Sequence, residues 1–277
     1  MINANLFFVL PQWFTAIALH LLKEYRLTYP SWVSWGSAIF ATLLSLVAYW
    51  YTAKAFGSGP QSREPDYFQF LVVNEVILAL PISLVGGPAA ALREYLSEGV
   101  LESFRVLPIS RLRILLGPVA SYALQQSLQA LAIFGAASLL LGLALPLRVG
   151  ARALLVTLLA LPAFLGLGLL SAGVFMRFGR GDSFITTLNT VGAVLGGAYF
   201  PSDLFPEFLQ NTGGRISPYS ILLTEIRNLS KAVDPFPAWT ATGALLGQGL
   251  FLLPLGYFTV IWGFHSLWQR GALVRIR

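Results

Sequence analysis

Few side chains in this 277-residue sequence carry the chemistry of a catalytic site. His20 and His265 are its two histidines and lie far apart, and there is no cysteine, so a zinc site, a thiolate nucleophile and a disulfide are all excluded. Asp66, Asp182, Asp203 and Asp234 each stand alone in polar stretches, so no aspartate pair is available to hold magnesium against a pyrophosphate. The chain contains no Gly-x-x-x-x-Gly-Lys-Ser/Thr loop, no His-Glu-x-x-His and no Gly-x-Ser-x-Gly elbow. What remains is charge. Residues 90–113 hold seven of the thirty charged side chains, with Glu94, Glu98 and Glu102 recurring every four residues. On a helix these three form one acidic line, opposite a stripe near Leu92, Leu96, Val100 and Leu107. Like charges at that spacing disfavour the helix by about 0.2–0.5 kcal/mol per pair. Two readings follow: a line that meets a basic partner, or a solvated loop helix with one membrane-facing stripe.

The elements that position these charges are apolar. The chain is 56% hydrophobic and 11% charged, with mean hydropathy +0.70, whereas a soluble domain carries roughly 25% charge. It is expected to be an all-α integral membrane protein with about six spans at about 20 residues each. The net charge of +6 would suggest nucleic acid in a soluble protein, but in this setting the positive-inside effect accounts for it and no nucleic-acid partner is expected. The first residues lack a basic n-region and a small-residue cleavage site, so no cleavable signal is expected.

In chain order, residues 1–29 read as an amphipathic helix lying in the membrane surface, with Trp13 and Tyr25 as interface-seeking side chains. Spans are expected at 31–53, 67–91, 114–147, 152–176, 184–199 and 237–264, all within one permease domain, 1–277. Residues 54–66 have the Gly, Pro and Ser content of a loop. Gln125, Gln126 and Gln129 should meet other helices, not lipid, and Gly166, Gly168 and Gly173 permit close helix packing. Residues 200–236 are two half-apolar pieces: a short amphipathic helix capped by Ser202 or Asp203, and Tyr219–Leu229 after Ser217-Pro218. Their lengths suit re-entrant or interfacial helices.

Inside the spans, Asn74, Glu75, Thr186, Thr187 and Asn189 are the polar residues of interest. An ionisable group within a span is by default a functional hypothesis; for Glu75 the alternatives are a buried structural hydrogen bond or an interfacial position. With both termini on one side, that side carries eleven of the eighteen basic residues and a net +6, while the other side nets zero. This places the termini and the acidic line in the cytoplasm of a multi-pass cell-membrane protein.

Two local patterns resemble the membrane subunits of type-2 ABC (ATP-binding cassette) exporters. The first is Arg93-Glu94, then Gly99-Val100-Leu101-Glu102, then Leu107-Pro108-Ile109-Ser110-Arg111. The second is Gly197-Ala198-Tyr199-Phe200-Pro201 with Leu204-Phe205-Pro206, then Ser217-Pro218-Tyr219 and Arg227. Val100 stands where the family usually has threonine. The resemblance implies that residues 92–106 form a cytoplasmic coupling helix seated in a cleft of a separate ATPase subunit. Arg93, Glu94, Glu98, Gly99, Glu102, Arg105, Pro108 and Arg111 would make or frame that contact. It implies two ATPase copies and a second permease copy, with ATP and magnesium bound by the partner and no cofactor in this chain. Asn74, Glu75, Thr186, Thr187 and Asn189 would line the translocation path, each with helix–helix hydrogen bonding as its alternative. Phe200, Pro201, Pro206, Pro218 and Arg227 would shape an outer gate in a re-entrant hairpin over 200–236. The implied cargo is a lipid, glycan or amphipathic small molecule, moved outward across an inner membrane. A gradient-driven carrier or channel subunit is the principal rival, and a structural scaffold the second.

Overall fold

The structure, a computed structural model, describes residues 32–56, 67–99, 111–142, 146–178, 182–199, 205–208, 217–231 and 239–269. Among these are seven helices: α1 (Trp32–Phe56), α2 (Tyr67–Ser97), α3 (Arg111–Leu141), α4 (Leu147–Phe178), α5 (Asp182–Leu195), α6 (Pro218–Lys231) and α7 (Trp239–Gln269). Four of them are long and apolar enough to cross a membrane, over Tyr67–Ser97, Gly117–Leu140, Arg148–Phe178 and Trp239–Leu267; the apolar parts of α1 and α5, Ile39–Ala55 and Ile185–Leu195, are shorter. The expected interfacial helix 1–29 lies outside the described residues.

Three clusters of buried side chains are stacked along the bundle, and the order in which each helix visits them gives its direction. At one end, Leu46 of α1, Phe68 and Val72 of α2, and Ile133 and Ala137 of α3 pack together. The middle holds Ile77–Val85 of α2, Val119, Val156–Phe164 of α4, Ala193, Tyr219–Ile226 of α6 and Leu245. At the far end Ala89, Leu92 and Tyr95 meet Ile114, Leu115, Leu169–Met176, Ile185, Val260 and Phe264. Thus α2, α4 and α7 run the same way, and α3 and α5 run against them. Since α4 and α7 are parallel, the chain returns through α5 to the end where α7 begins.

The packing of α4 on α7 follows from glycine placement. Gly166 and Gly173 face Gly256 and Gly263: a Cβ on Gly256 would lie 2.5 Å from the Gly166 carbonyl oxygen, and one on Gly263 2.9 Å from that of Gly173. Missing side chains let the backbones touch, which replaces the hydrophobic drive that lipid cannot supply. Gly168 does the same toward α2, where the Leu84 carbonyl fills the space a side chain would need. The outer faces remain apolar, with Phe40, Leu44, Leu139, Leu250, Phe251 and Phe258 exposed, as suits helices solvated by lipid.

Several boundaries differ from the sequence expectation. The span expected at 114–147 stops at Leu141, where Gly142 takes a φ of +71°, and α4 starts at Leu147 with the Pro146 carbonyl accepting from the Gly150 amide (3.1 Å). The segment expected at 184–199 is helical only to Leu195, about 21 Å of helix at 1.5 Å per residue. The coupling helix expected to begin at 92 does not begin there. Leu92–Ser97 is the last turn and a half of α2, with Leu92 and Tyr95 buried in the core. Gly99, at φ +68°, then ends the helical path, because an L side chain is disfavoured there and glycine is not. Of the acidic line, Glu94 is on α2 and Glu98 is in the turn just past its end; Glu102 lies outside the described residues.

Candidate functional site: a polar cleft on the second helix

Both α3 and α5 pack on α2 and make few contacts with each other, so a gap opens between them with α2 as its floor. Its volume is about 540 Å³, within the usual range for ligand sites of roughly 300–1,000 Å³. Ile82, Ser83, Gly86, Gly87, Ala90 and Arg93 form the floor, one helical face of α2. Tyr122, Gln125 and Gln126 of α3 and Ile185, Thr186 and Asn189 of α5 form the walls. The space exists because the floor is nearly bare: a Cβ on Gly86 would meet nothing closer than the Asn189 amide nitrogen at 3.9 Å.

Asn189 is held in position by α6. The Tyr219 hydroxyl donates to its Oδ1 (2.5 Å), which sets the amide orientation and leaves Nδ2 facing Gly86. Tyr219 is itself seated on the bare faces of Gly192 and Gly196, where a Cβ would lie 2.6 and 3.0 Å away, and packs edge-on against Phe164 (4.7 Å). At the Arg93 end, the Tyr122 hydroxyl donates to a Glu94 carboxylate oxygen (3.2 Å).

The sequence candidates fall into separate places. Thr186 and Asn189 reach the cleft, and Arg93, expected in the coupling set, joins them. Thr187 is exposed elsewhere on α5. Asn74 and Glu75 line a different cavity, about 20 Å³, with Tyr49 and Tyr199; that is room for roughly one water. There the Tyr49 hydroxyl lies within hydrogen-bonding reach of the Glu75 carboxylate. Asn74 is buried and its amide donates to the Ala198 carbonyl (2.9 Å), the helix-joining role that was the alternative to a path residue. Gln125 and Gln126, expected to meet other helices, line the cleft instead, and Gln129 is exposed.

Of the coupling set, Glu98 and Gly99 are exposed at the tip of α2 and Glu94 is half-buried. Glu102, Arg105 and Pro108 lie outside the described residues, and Arg111 supplies the first residue of α3. Of the gate set, Phe200 and Pro201 lie outside the described residues, and Pro206 is exposed. Pro218 is the first residue of α6, where its fixed φ and absent N–H cost nothing. Arg227 donates to the Gly197 carbonyl, and to that of Gly196 at 3.4 Å; its guanidinium lies over the Phe70 ring (5.1 Å). Sequence reading missed Ser83, the Gly86-Gly87 pair and Tyr122. The glycine pair in mid-span was the visible signal of open space, whereas nothing in the sequence joins Tyr219 to Asn189.

Residues 46–258 match the family model described as ABC-2 family transporter protein. The chain belongs to the ABC-2 transporter family. It is accordingly a multi-pass membrane subunit of an ABC transporter. The ABC-2 match covers α2 to α6 in full, and so every residue of the cleft. No individually curated protein matches the chain.

Proposed function

We propose that this ABC-2 chain is the permease subunit of an ATP-driven exporter. Two copies enclose the translocation path, and each is coupled to a separate ATPase subunit that binds ATP and magnesium. The cargo is a lipid, glycan or amphipathic small molecule. The observation that carries this reading is the continuity of α2. One helix runs from the floor of the cleft, Ile82 to Arg93, into an exposed tip at Ser97, Glu98 and Gly99. Its 31 residues span about 46 Å, more than the roughly 30 Å hydrocarbon core. A force applied to the tip thus reaches the cleft floor through one helix, in which Pro81 and Pro88 are the two positions that lack a backbone donor.

In this reading the tip end is cytoplasmic, both termini lie there, and α1 and α5 complete six crossings in the inner membrane. The turn at Gly99 and the chain up to Arg111, with Glu98, Glu102, Arg105 and Pro108, provide the ATPase contact. Residues 200–236 form the outer re-entrant hairpin, and α6, which buries Tyr219, Leu222 and Leu223 in the middle cluster, is its inner arm. Closure of the ATPases tilts α2, and α5 follows because Asn74 and Arg227 tie its C-terminal turn to α2 and α6.

The test is co-purification. Glu98→Arg combined with Glu102→Arg should sharply lower association with the cognate ATPase while membrane insertion persists. Unchanged association, or full transport by this chain alone in proteoliposomes, would overturn the reading.

A further inference from the structure

The cleft is lined mainly by neutral polar groups. Ser83, Tyr122 and Thr186 give it three hydroxyls, and Gln125, Gln126 and Asn189 three amides; both kinds of group donate and accept. Arg93 is the one formally charged side chain among the described lining residues, and it already has a partner within the chain. An anion would have to draw Arg93 from that partner, and a cation would meet no carboxylate in the lining. Tyr122 and Gln125 are engaged as well, Tyr122 with a Glu94 carboxylate oxygen, and Ser83 donates to the Leu80 carbonyl (2.7 Å). Three groups are left to a ligand. The Oδ1 of Asn189 accepts from Tyr219, so its amide nitrogen is turned toward Gly86. Thr186 of α5 and Gln126 of α3 make no side-chain hydrogen bond to another described residue. Polar side chains within spans are kept where they serve a neighbouring helix or a pathway, and these two serve no neighbour.

We propose that the cleft takes an uncharged, hydroxyl-rich headgroup of the kind a sugar ring presents. One ring oxygen accepts from the Asn189 amide nitrogen, and ring hydroxyls exchange hydrogen bonds with Gln126 and Thr186 on the facing walls. The match is one of kind: each sugar hydroxyl both donates and accepts, as do the groups that meet it. Gly86, Gly87 and Ala90 leave the floor flat beneath the ring, within a volume of about 540 Å³. Leu124 and Leu128, exposed within one turn of Gln125, offer an apolar rim to a chain attached to that ring. This names the cargo class of the exporter reading and rests on the cleft being part of its path.

The test uses the purified full chain in phosphatidylcholine nanodiscs without ATPase. The probes are a fluorescent glucosyl diacylglycerol and a phosphatidylglycerol with the same tails. The glucosyl lipid should bind more tightly. Thr186→Val and Gln126→Leu should each weaken it by about three- to tenfold while leaving phosphatidylglycerol unchanged, and Gln129→Leu, on α3 outside the cleft, should have no effect. Gly86→Leu, whose side chain enters open space, should exclude the glucosyl lipid with the thermal midpoint retained. Phosphatidylglycerol binding as tightly as the glucosyl lipid, or normal glucosyl-lipid binding by the Thr186→Val, Gln126→Leu double variant, would overturn the proposal. Competition by millimolar methyl glucoside tells the two sources of such a headgroup apart: displacement supports a free sugar as the ligand, and persistence supports the lipid-linked form. Because Glu98→Arg with Glu102→Arg should leave these binding curves intact, loss of the ATPase reading and loss of this one are told apart.

Discussion

Four successive carbonyls after α5, from Gly196 to Tyr199, each accept a hydrogen bond from a side chain on another helix. Arg227 of α6 serves Gly196 and Gly197, Asn74 of α2 serves Ala198, and the Tyr67 hydroxyl serves Tyr199 (2.5 Å). The backbone closes the turn as well: the Gly197 amide donates to Val194 (2.8 Å) and the Ala198 amide to Ala193 (2.9 Å), with Gly197 at φ +75°. This is a Schellman ending, which needs a residue at ease in the left-handed region. In a membrane an unpaired carbonyl cannot turn to water, so each of these donors counts. Replacing Asn74 by leucine keeps the branched shape of the side chain and orphans the Ala198 carbonyl, at a cost of about 1–3 kcal/mol. The thermal midpoint in detergent should fall while membrane insertion is unaffected; an unchanged midpoint would show that the bond is not stabilising.

Helix packing gives a sharper contrast. Along α7, Gly249, Gly256 and Gly263 recur at seven-residue intervals and face α4, whereas Gly243 and Gly247 have nothing within 4 Å. Substituting Gly256 by valine drives a side chain into the Gly166 backbone, so α4 and α7 must separate; a loss of about 3 kcal/mol or more is expected, as for other overpacked cores. Gly247→Ala meets open space and should be neutral or stabilising by up to about 1 kcal/mol through helix propensity. Thermal or urea unfolding of the two variants side by side measures this. Equal destabilisation by both would mean that backbone contact is not what joins these helices. The glycines of α4 announced close packing in the sequence, but their partners on α7 emerge only once the two helices are seen to be parallel.

At the scale of the whole molecule, the parallel run of α2, α4 and α7 places their C-terminal ends on one side and the starts of α2 and α7 on the other. The natural absence of cysteine makes this directly measurable with single-cysteine variants and a membrane-impermeant maleimide. Glu98→Cys, at the tip of α2, should react in inverted vesicles and not in intact cells; Glu207→Cys, exposed beyond α5, should do the opposite. Labelling of both from one side would break the alternation on which the exporter reading depends.

Membrane residence, helical class and most of the long spans were legible in the sequence, because hydrocarbon tolerates only self-satisfied backbone and apolar surface, and composition reports both directly. The charged stretch at 90–113 was legible as well, since thirty charges in 277 residues leave little doubt where they cluster. Where α2 ends was not: helical periodicity runs through Glu94, Glu98 and Glu102, and only the backbone angle at Gly99 breaks it. Nor could sequence spacing assign Asn74 and Asn189 to different tasks, since both are amides in spans. Which carbonyl or hydroxyl each one meets depends on how α2, α5 and α6 cross. That crossing is fixed by contacts between residues more than a hundred positions apart, such as Asn74 with Ala198. The cleft belongs to the same class: it is the space left where α3 and α5 lean on one helix without closing on each other, a property of their arrangement and of no single segment.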